Sequence, residues 1–432
     1  MFSDPEIAGE LTDERLVEHM LQVEIELARA EAALDLIPKK AAEAIAARTP
    51  DLQLNWDQLA EATAVDGFPV GNLVAQLRVA VGQEAANYVH WGATTQDILD
   101  TARVLQFRGC LLVLENDLNS LIRVLADLAR RHRNTLMAGR THSQQALPIT
   151  FGFKVTGWIS PLLRHRQRLR QMRSRLLVLQ FGGGVGTLSV LGEKGLEVQA
   201  VLANALGLAI PLMPWHTQRD VFAELAGWLS MLTGSLGKVA QDLILMAQSE
   251  VGEVSEGSSG GSSTMPQKQN PISSELILGA AQQNAILLSG LHLANLQEHE
   301  RGTHGWQLEL LNLPLMLSLT GSALKKAVSL CETLHVDAER MANNVKVSNG
   351  LMLSEAVTFI LSQHMDRQAA AKLVGQASRQ AQAEGKHLIE IVKEKVQIDI
   401  DWRTSEEEAG QLGSAQAFID RVLGEVETSL AN

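Results

Sequence analysis

Four polar clusters carry the groups in this chain best suited to moving protons or holding an anion. They are His90-Trp91-Gly92-Ala93-Thr94-Thr95-Gln96-Asp97, Gly139-Arg140-Thr141-His142-Ser143-Gln144-Gln145, Pro214-Trp215-His216-Thr217-Gln218-Arg219-Asp220 and Gln297-Glu298-His299-Glu300-Arg301. Imidazole titrates near neutrality, so His90 and His142, lying in polar breaks, suit general acid–base work. Thr94 and Thr95 either cap the helix that starts at Asp97 or, with its N–H groups, offer donors to a carboxylate. Glu298-His299-Glu300 has no second ligand set at helical His-x-x-x-His spacing, so no metal site is expected. His19, His132, His165, His292, His335, His364 and His387 fall within helical pattern and read as ordinary surface or core residues.

A fifth stretch, Gly257 to Pro271, is the richest in Gly, Ser and Thr. Its first half is a mobile loop by composition, because small polar residues bury little apolar surface. Its second half, with Met265, Pro266, Lys268, Asn270 and Pro271, is stiff and carries a cation. A hinge leading into such an end reads as a lid over a site or as a linker between helices. The glycine run Phe181 to Thr187 is not a dinucleotide loop: the third glycine is missing and no βαβ alternation surrounds it.

The elements that hold these clusters read as helices. Leu and Ala are abundant, aromatic residues make up 4% of the 432 residues, and 46% are apolar, a balance that favours helices over sheets. Leu111, Leu114, Leu118, Leu121, Leu125 and Leu128 alternate by three and four, as do Leu225, Leu229, Leu232, Leu236, Val239, Leu243 and Met246. Such spacing lays one apolar seam along a long helix. Residues 274–293 and 306–330 are apolar on more than one side, as helices central to a bundle or an oligomer are. A first helix spans 11–36, capped by Thr12 or Asp13, and shorter helices over 40–80 break at Asp66-Gly67-Phe68-Pro69. The fold class is therefore all-α, with an N-terminal helical domain over 1–105, a central long-helix bundle over 106–350 holding the loop 252–274, and a C-terminal helical domain over 351–432. A net charge of −12 without a basic block argues against nucleic acid. Cys110 and Cys331 read as buried thiols in a reducing compartment. No signal-peptide pattern or membrane-spanning run is present, so a soluble cytoplasmic protein is expected.

Together these motifs resemble the fumarase/aspartase superfamily. Gly261-Ser262-Ser263-Thr264-Met265-Pro266-Gln267-Lys268-Gln269-Asn270-Pro271 is similar to its signature Gly-Ser-Ser-x-Met-Pro-x-Lys-x-Asn-Pro, and the resemblance runs over essentially the whole chain. The clusters at 88–97, 214–220 and 297–301 look most like its bacterial 3-carboxy-cis,cis-muconate cycloisomerase branch, with the adenylosuccinate lyase branch next. The resemblance implies three helical domains, a homotetramer with a twenty-helix core, and active sites shared between subunits. It implies proton transfer at a carbon next to a carboxylate in a small polycarboxylate substrate, with no cofactor. Ser262 would be the base and His142 the general acid. Lys268, Asn270, Thr94, Thr95, Gln218, Arg219 and Arg301 would bind the substrate's carboxylates, and His90 would position it. Cycloisomerisation is one expected reaction; a fumarate-releasing C–N lyase or an epimerase acting on a substituted succinate is the other. Two departures bear on that choice. The cycloisomerase branch leads one to expect a tryptophan after Gly-Arg-Thr and a histidine three positions on, where this chain has His142 and Gln145. The signature's usual His and Arg are replaced by Gln267 and Gln269.

Overall fold

The computed structural model describes residues 4–257, 260, 261, 265, 268–398, 400, 402 and 408–431. The fold is all-α, as the composition implies. The first long helix, Asp13–Ala33, begins where the Thr12 hydroxyl accepts the Arg15 N–H, so Thr12 rather than Asp13 is the cap. Helix Trp56–Asp66 stops at Gly67, whose φ of 79° only glycine adopts without strain, and Val70–Val81 follows. The long helices are Thr95–Arg131, Phe151–Leu176, Asp220–Met246, Ile272–Ala294 and Gly305–Thr333. Every residue of the two three-four apolar series is buried, Leu111 to Leu128 and Leu225 to Met246 alike. Each such leucine contributes roughly 2 kcal/mol on leaving water, so these seams outweigh any local propensity.

The chain divides into two compact units. One comprises Met1–Asp117, Arg166–Gly234 and Ala280–Ala323, and the other Leu118–His165, Ser235–Gly279 and Leu324–Asn432. In the second unit the C-terminal helices Ser354–Leu361, Arg367–Glu384 and Leu388–Lys395 bury a cluster of their own that includes Leu353, Val357, Val374 and Ile391. The same unit holds an antiparallel hairpin, Leu136–Thr141 paired with Gln144–Thr150. Apolar periodicity leaves that segment as a polar break. The pairing comes from the short run Met137-Ala138 opposite Pro148-Ile149, too brief to give a two-residue period.

Apolar surface is left uncovered on several long helices. Ile286 and Leu293 on Ile272–Ala294 are 65% and 56% exposed, and Leu311 on Gly305–Thr333 is 72% exposed. Among the described residues, Ile272–Ala294 is the one helix long and apolar enough to cross a membrane, and 22% of its most apolar stretch is buried in the chain.

Helix Asp13–Ala33 also buries an acid. Glu31 is fully buried and neither carboxyl oxygen has a hydrogen-bond partner; burial, aided by the like charge of Glu24, pushes it up to about 9. Between the ordinary value of 4.5 and that value, the unfolded chain has released a proton that the folded chain still holds. Folding therefore loses stability as pH rises through this window, by up to about 1.4 kcal/mol per pH unit. Glu31→Gln is expected to lie close to the parent at pH ~5 and to exceed it by about 4 kcal/mol at pH ~8 in denaturant titrations. An identical difference at both pH values would show that Glu31 is ionised in the fold.

Candidate active site

In the first unit the start of helix Thr95–Arg131 is organised by Asp97. Its carboxylate is buried and accepts from the backbone N–H groups of Thr94 (3.1 Å), Gly182 (3.0 Å) and Gly183 (2.8 Å) and from Gln180 Nε2 (3.2 Å). His216 Nε2 lies 2.8 Å from the same group. The glycine run at 182–184 thus wraps a carboxylate of its own chain. A Cβ at Gly182 would come within 2.6 Å of Pro214, which is why the position takes glycine. Asp97, the third residue of the helix, reaches back to the Thr94 N–H, and the Thr94 hydroxyl accepts instead from Arg301 Nη1 at 3.1 Å. Arg301 Nε donates to Gln96 Oε1 at 3.2 Å, while Nη2 is buried with no partner. An unpaired buried guanidinium nitrogen beside a helix N-terminus is a seat for an anion. Thr95 is half-buried at the same helix start.

His90 reaches this region from a residue with φ of 64°, a backbone conformation that costs a non-glycine residue about 1 kcal/mol or more. Its Nδ1 is 2.6 Å from Oε1 of the buried Glu24. Burial alone would lower the imidazole pKa; Glu24, with a smaller contribution from Asp97, outweighs it and holds His90 above its usual value.

Gln218 is exposed, and its neighbour Arg219 is fully enclosed. Arg219 donates to Asp100 through Nη1 (2.6 Å) and Nη2 (3.1 Å), and to Glu309 through Nε (2.9 Å) and Nη2. Its guanidinium also stacks over Trp215 and Phe222. Burial works against the cation, but the two carboxylates dominate and keep its pKa raised. Asp100 further accepts from Gln96 (3.1 Å) and Trp306 Nε1 (3.0 Å). Every guanidinium nitrogen of Arg219 thus donates inside the fold, and through Asp100 and Gln96 the side chain braces Arg301.

The second unit holds the other candidates. His142 and Ser143 form the two-residue loop closed by the Thr141–Gln144 pair, with φ of 48° and 62°. Those are the signs a type I′ turn requires, usually met by Asn-Gly, so an exposed histidine here is strained. The hairpin is anchored by Arg140, which forms a fork on the buried Glu253 (2.8 and 2.6 Å); Asn344 Nδ2 donates to that carboxylate as well, at 3.0 Å. Glu256 closes the base of the signature loop, accepting from Ser273 N (3.0 Å), Ser274 N (2.9 Å) and Ser274 Oγ (2.7 Å). Between these anchors Gly260–Gly261 pairs with Gln269–Asn270. Lys268 and Asn270 line a concavity of about 820 Å³ together with Glu275, His335 and Asp337. Ser262 lies outside the described residues.

The structure brings Thr94 and Arg301 together in one unit and Lys268 and Asn270 together in the other. Five residues that shape these sites, Glu24, Asp100, Glu253, Glu256 and Glu309, were not singled out from the sequence. Their one signal is an acid inside an apolar helical or loop pattern, as in Ile98-Leu99-Asp100-Thr101-Ala102. No three His, Cys, Asp or Glu side chains among the described residues are grouped as a metal site.

A family model described as lyase matches residues 3–284. The chain belongs to the fumarase/aspartase superfamily. It is an enzyme of that superfamily. A 3-carboxy-cis,cis-muconate cycloisomerase of Pseudomonas aeruginosa is 44% identical over 96% of this chain and 93% of its own length. The crystal structure of the 3-carboxy-cis,cis-muconate lactonizing enzyme from Pseudomonas putida superposes with a TM-score of 0.93 at 39% identity, covering 99% of this chain and 98% of that one. A fumarate lyase from Mesorhizobium sp. BNC1 gives 0.92 at 38%, with 98% of each chain covered.

Proposed function

We propose that this member of the superfamily is a cycloisomerase of the 3-carboxy-cis,cis-muconate type. The observation that carries the reading is 44% identity to such an enzyme over nearly the full length of both chains. In the forward direction a substrate carboxylate oxygen forms a C–O bond to one carbon of a C=C bond. The electron pair moves to the neighbouring carbon, next to a second carboxylate, and that carbon takes a proton. The intermediate is a doubly charged aci-carboxylate, which only a cluster of donors and cations stabilises. Arg301 Nη2, Thr94, Thr95 and the His90 imidazole would supply donors, as would Lys268 and Asn270, in sites shared between subunits. Gln218, which is exposed, would add an amide. Arg219 would serve by bracing Arg301. Ser262 would give the proton in lactonisation and take it in the reverse elimination, with His142 as the second proton carrier.

A homotetramer with shared sites is the assembly we infer. The exposed Ile286, Leu293, Leu311 and Leu315 on two of the long helices support it, since such apolar faces are covered in stable proteins. The two buried free thiols, Cys110 and Cys331, suit a reducing cytoplasm.

The assay is direct. Micromolar purified protein is expected to abolish the conjugated-diene ultraviolet absorbance of 3-carboxy-cis,cis-muconate; an unchanged spectrum ends the specific assignment. His142, strained at a hairpin tip, favours one second reading, a lyase that releases fumarate from a substituted succinate. Fumarate accumulating from such substrates, with the muconate untouched, would establish it.

A further inference from the structure

We propose that Glu24 is a positioning residue that commits His90 to one hydrogen-bonding state, with Nδ1–H on Glu24 and an Nε2–H donor offered to a substrate carboxylate. The inference rests on the reading that His90 faces the substrate. Glu24 comes from helix Asp13–Ala33, sixty-six residues before His90, and lies outside every polar cluster of the sequence. It is 2% exposed, and its Oε1 meets Nδ1 at 2.6 Å, the short range of charge-assisted bonds. Its other oxygen, Oε2, has no partner among the described residues, so the one hydrogen bond described for the carboxylate is the one to His90. A buried carboxylate in that position needs a proton on the facing nitrogen. With Nδ1 committed, Nε2 is the nitrogen left for a ligand. Among the described residues none bonds it, and the His90 side chain keeps 17% of its surface exposed.

Two further charged groups act on the pair, in opposite senses. Asp97 adds a second negative charge toward His90, and Arg78, whose Nη2 donates to Val89 O at 3.1 Å, opposes it. Glu31, farther along the same helix, is kept neutral by burial, so Glu24 is spared a like charge there. The strained φ of 64° at His90 is held by this contact and by the neighbouring turn. A histidine so placed acts as donor and cation toward a carboxylate and is a poor base, because its proton is stabilised by Glu24. The sign follows: the group's folded pKa is raised, so the charged form is present below it and is lost as pH climbs through it.

The test uses full-length protein with 13C-labelled histidine, the His90 resonance being assigned by its loss in His90→Asn. In the wild type His90 is expected to titrate above the ordinary 6.5. In Glu24→Gln the midpoint is expected to fall by about one pH unit or more. KM for the substrate should rise roughly tenfold, with kcat changed far less, which is the loss of one charge-assisted contact. Glu24→Asp keeps the charge and is expected to recover part of both changes. A wild-type midpoint at or below 6.5 overturns the proposal, as does an unmoved resonance in Glu24→Gln. The resonance does not depend on what the enzyme turns over. A shifted midpoint in a protein inactive on every dicarboxylate therefore sinks the functional reading and leaves the Glu24–His90 pairing standing.

Discussion

Arg219→Met is expected to cost about 3–5 kcal/mol of stability, because it strips the cation that pairs with both of two buried carboxylates. Asp100 would keep Gln96 and Trp306 as donors, whereas Glu309 would lose every hydrogen bond described for it. Burial already pushes Glu309 up to about 7 against the pull of Arg219, so without the guanidinium it takes up a proton and sits unpaired. Arg219→Lys keeps the charge but cannot make both forks at once, and an intermediate loss is expected. The triple change Arg219→Met, Asp100→Asn, Glu309→Gln removes all the charges together and should recover most of the deficit. Denaturant titration at one fixed protein concentration reads these differences, since the stability of an oligomer depends on concentration. A Met variant within about 1 kcal/mol of the parent would return Arg219 to the list of ligand-binding residues. Loss of Arg219 should also weaken catalysis while the protein is folded, because Asp100 holds Gln96 and Gln96 holds Arg301.

The helices were legible because their signal is periodic and local. The seams Leu111–Leu128 and Leu225–Met246 predict long buried faces without any knowledge of partners, and every one of those residues is buried. The hairpin at 136–150 was not legible. Its turn is built from His142 and Ser143 in place of the Asn-Gly that marks a type I′ loop, and its strands owe their pairing to packing rather than to alternation. The candidate site was legible where polar residues cluster along the chain, as at Thr94 and Arg301, which the fold brings into contact. It was illegible where a single acid crosses a long stretch of sequence to hold a partner, as Glu24 does for His90 and Glu309 for Arg219. Such an acid sits alone in an apolar helix and differs in no local way from a solvated charge. The same gap explains Arg219, which stands in a polar cluster and looks available, yet is enclosed by residues 119 positions before and 90 positions after it.

Ser262→Ala is expected to lower kcat by roughly a thousandfold or more while leaving KM within a few-fold. Proton transfer at a carbon next to a carboxylate needs a strong, placed base, and a serine hydroxyl becomes one only where its alkoxide is stabilised by N–H groups and a cation. Lys268, six positions along, is the cation of the same loop. The loop is held at its base by Glu256 on Ser273 and Ser274, and at Gly257 by an approach that leaves no room for a side chain, a Cβ there meeting Thr333 O at 2.5 Å. Those anchors fix the two ends between which Ser262 lies in sequence, so truncating it removes one oxygen without disturbing what holds the loop. The carboxylate binding proposed for Arg301, Thr94, Lys268 and Asn270 would survive, which is why the loss should fall on kcat. Ser263→Ala is the control and should keep most of the activity. Exchange of solvent deuterium into recovered substrate or product isolates the proton-transfer step from the making or breaking of the C–O bond. Exchange at the parent rate in Ser262→Ala would move the base to another residue, and His142 at its hairpin tip would be the next to replace.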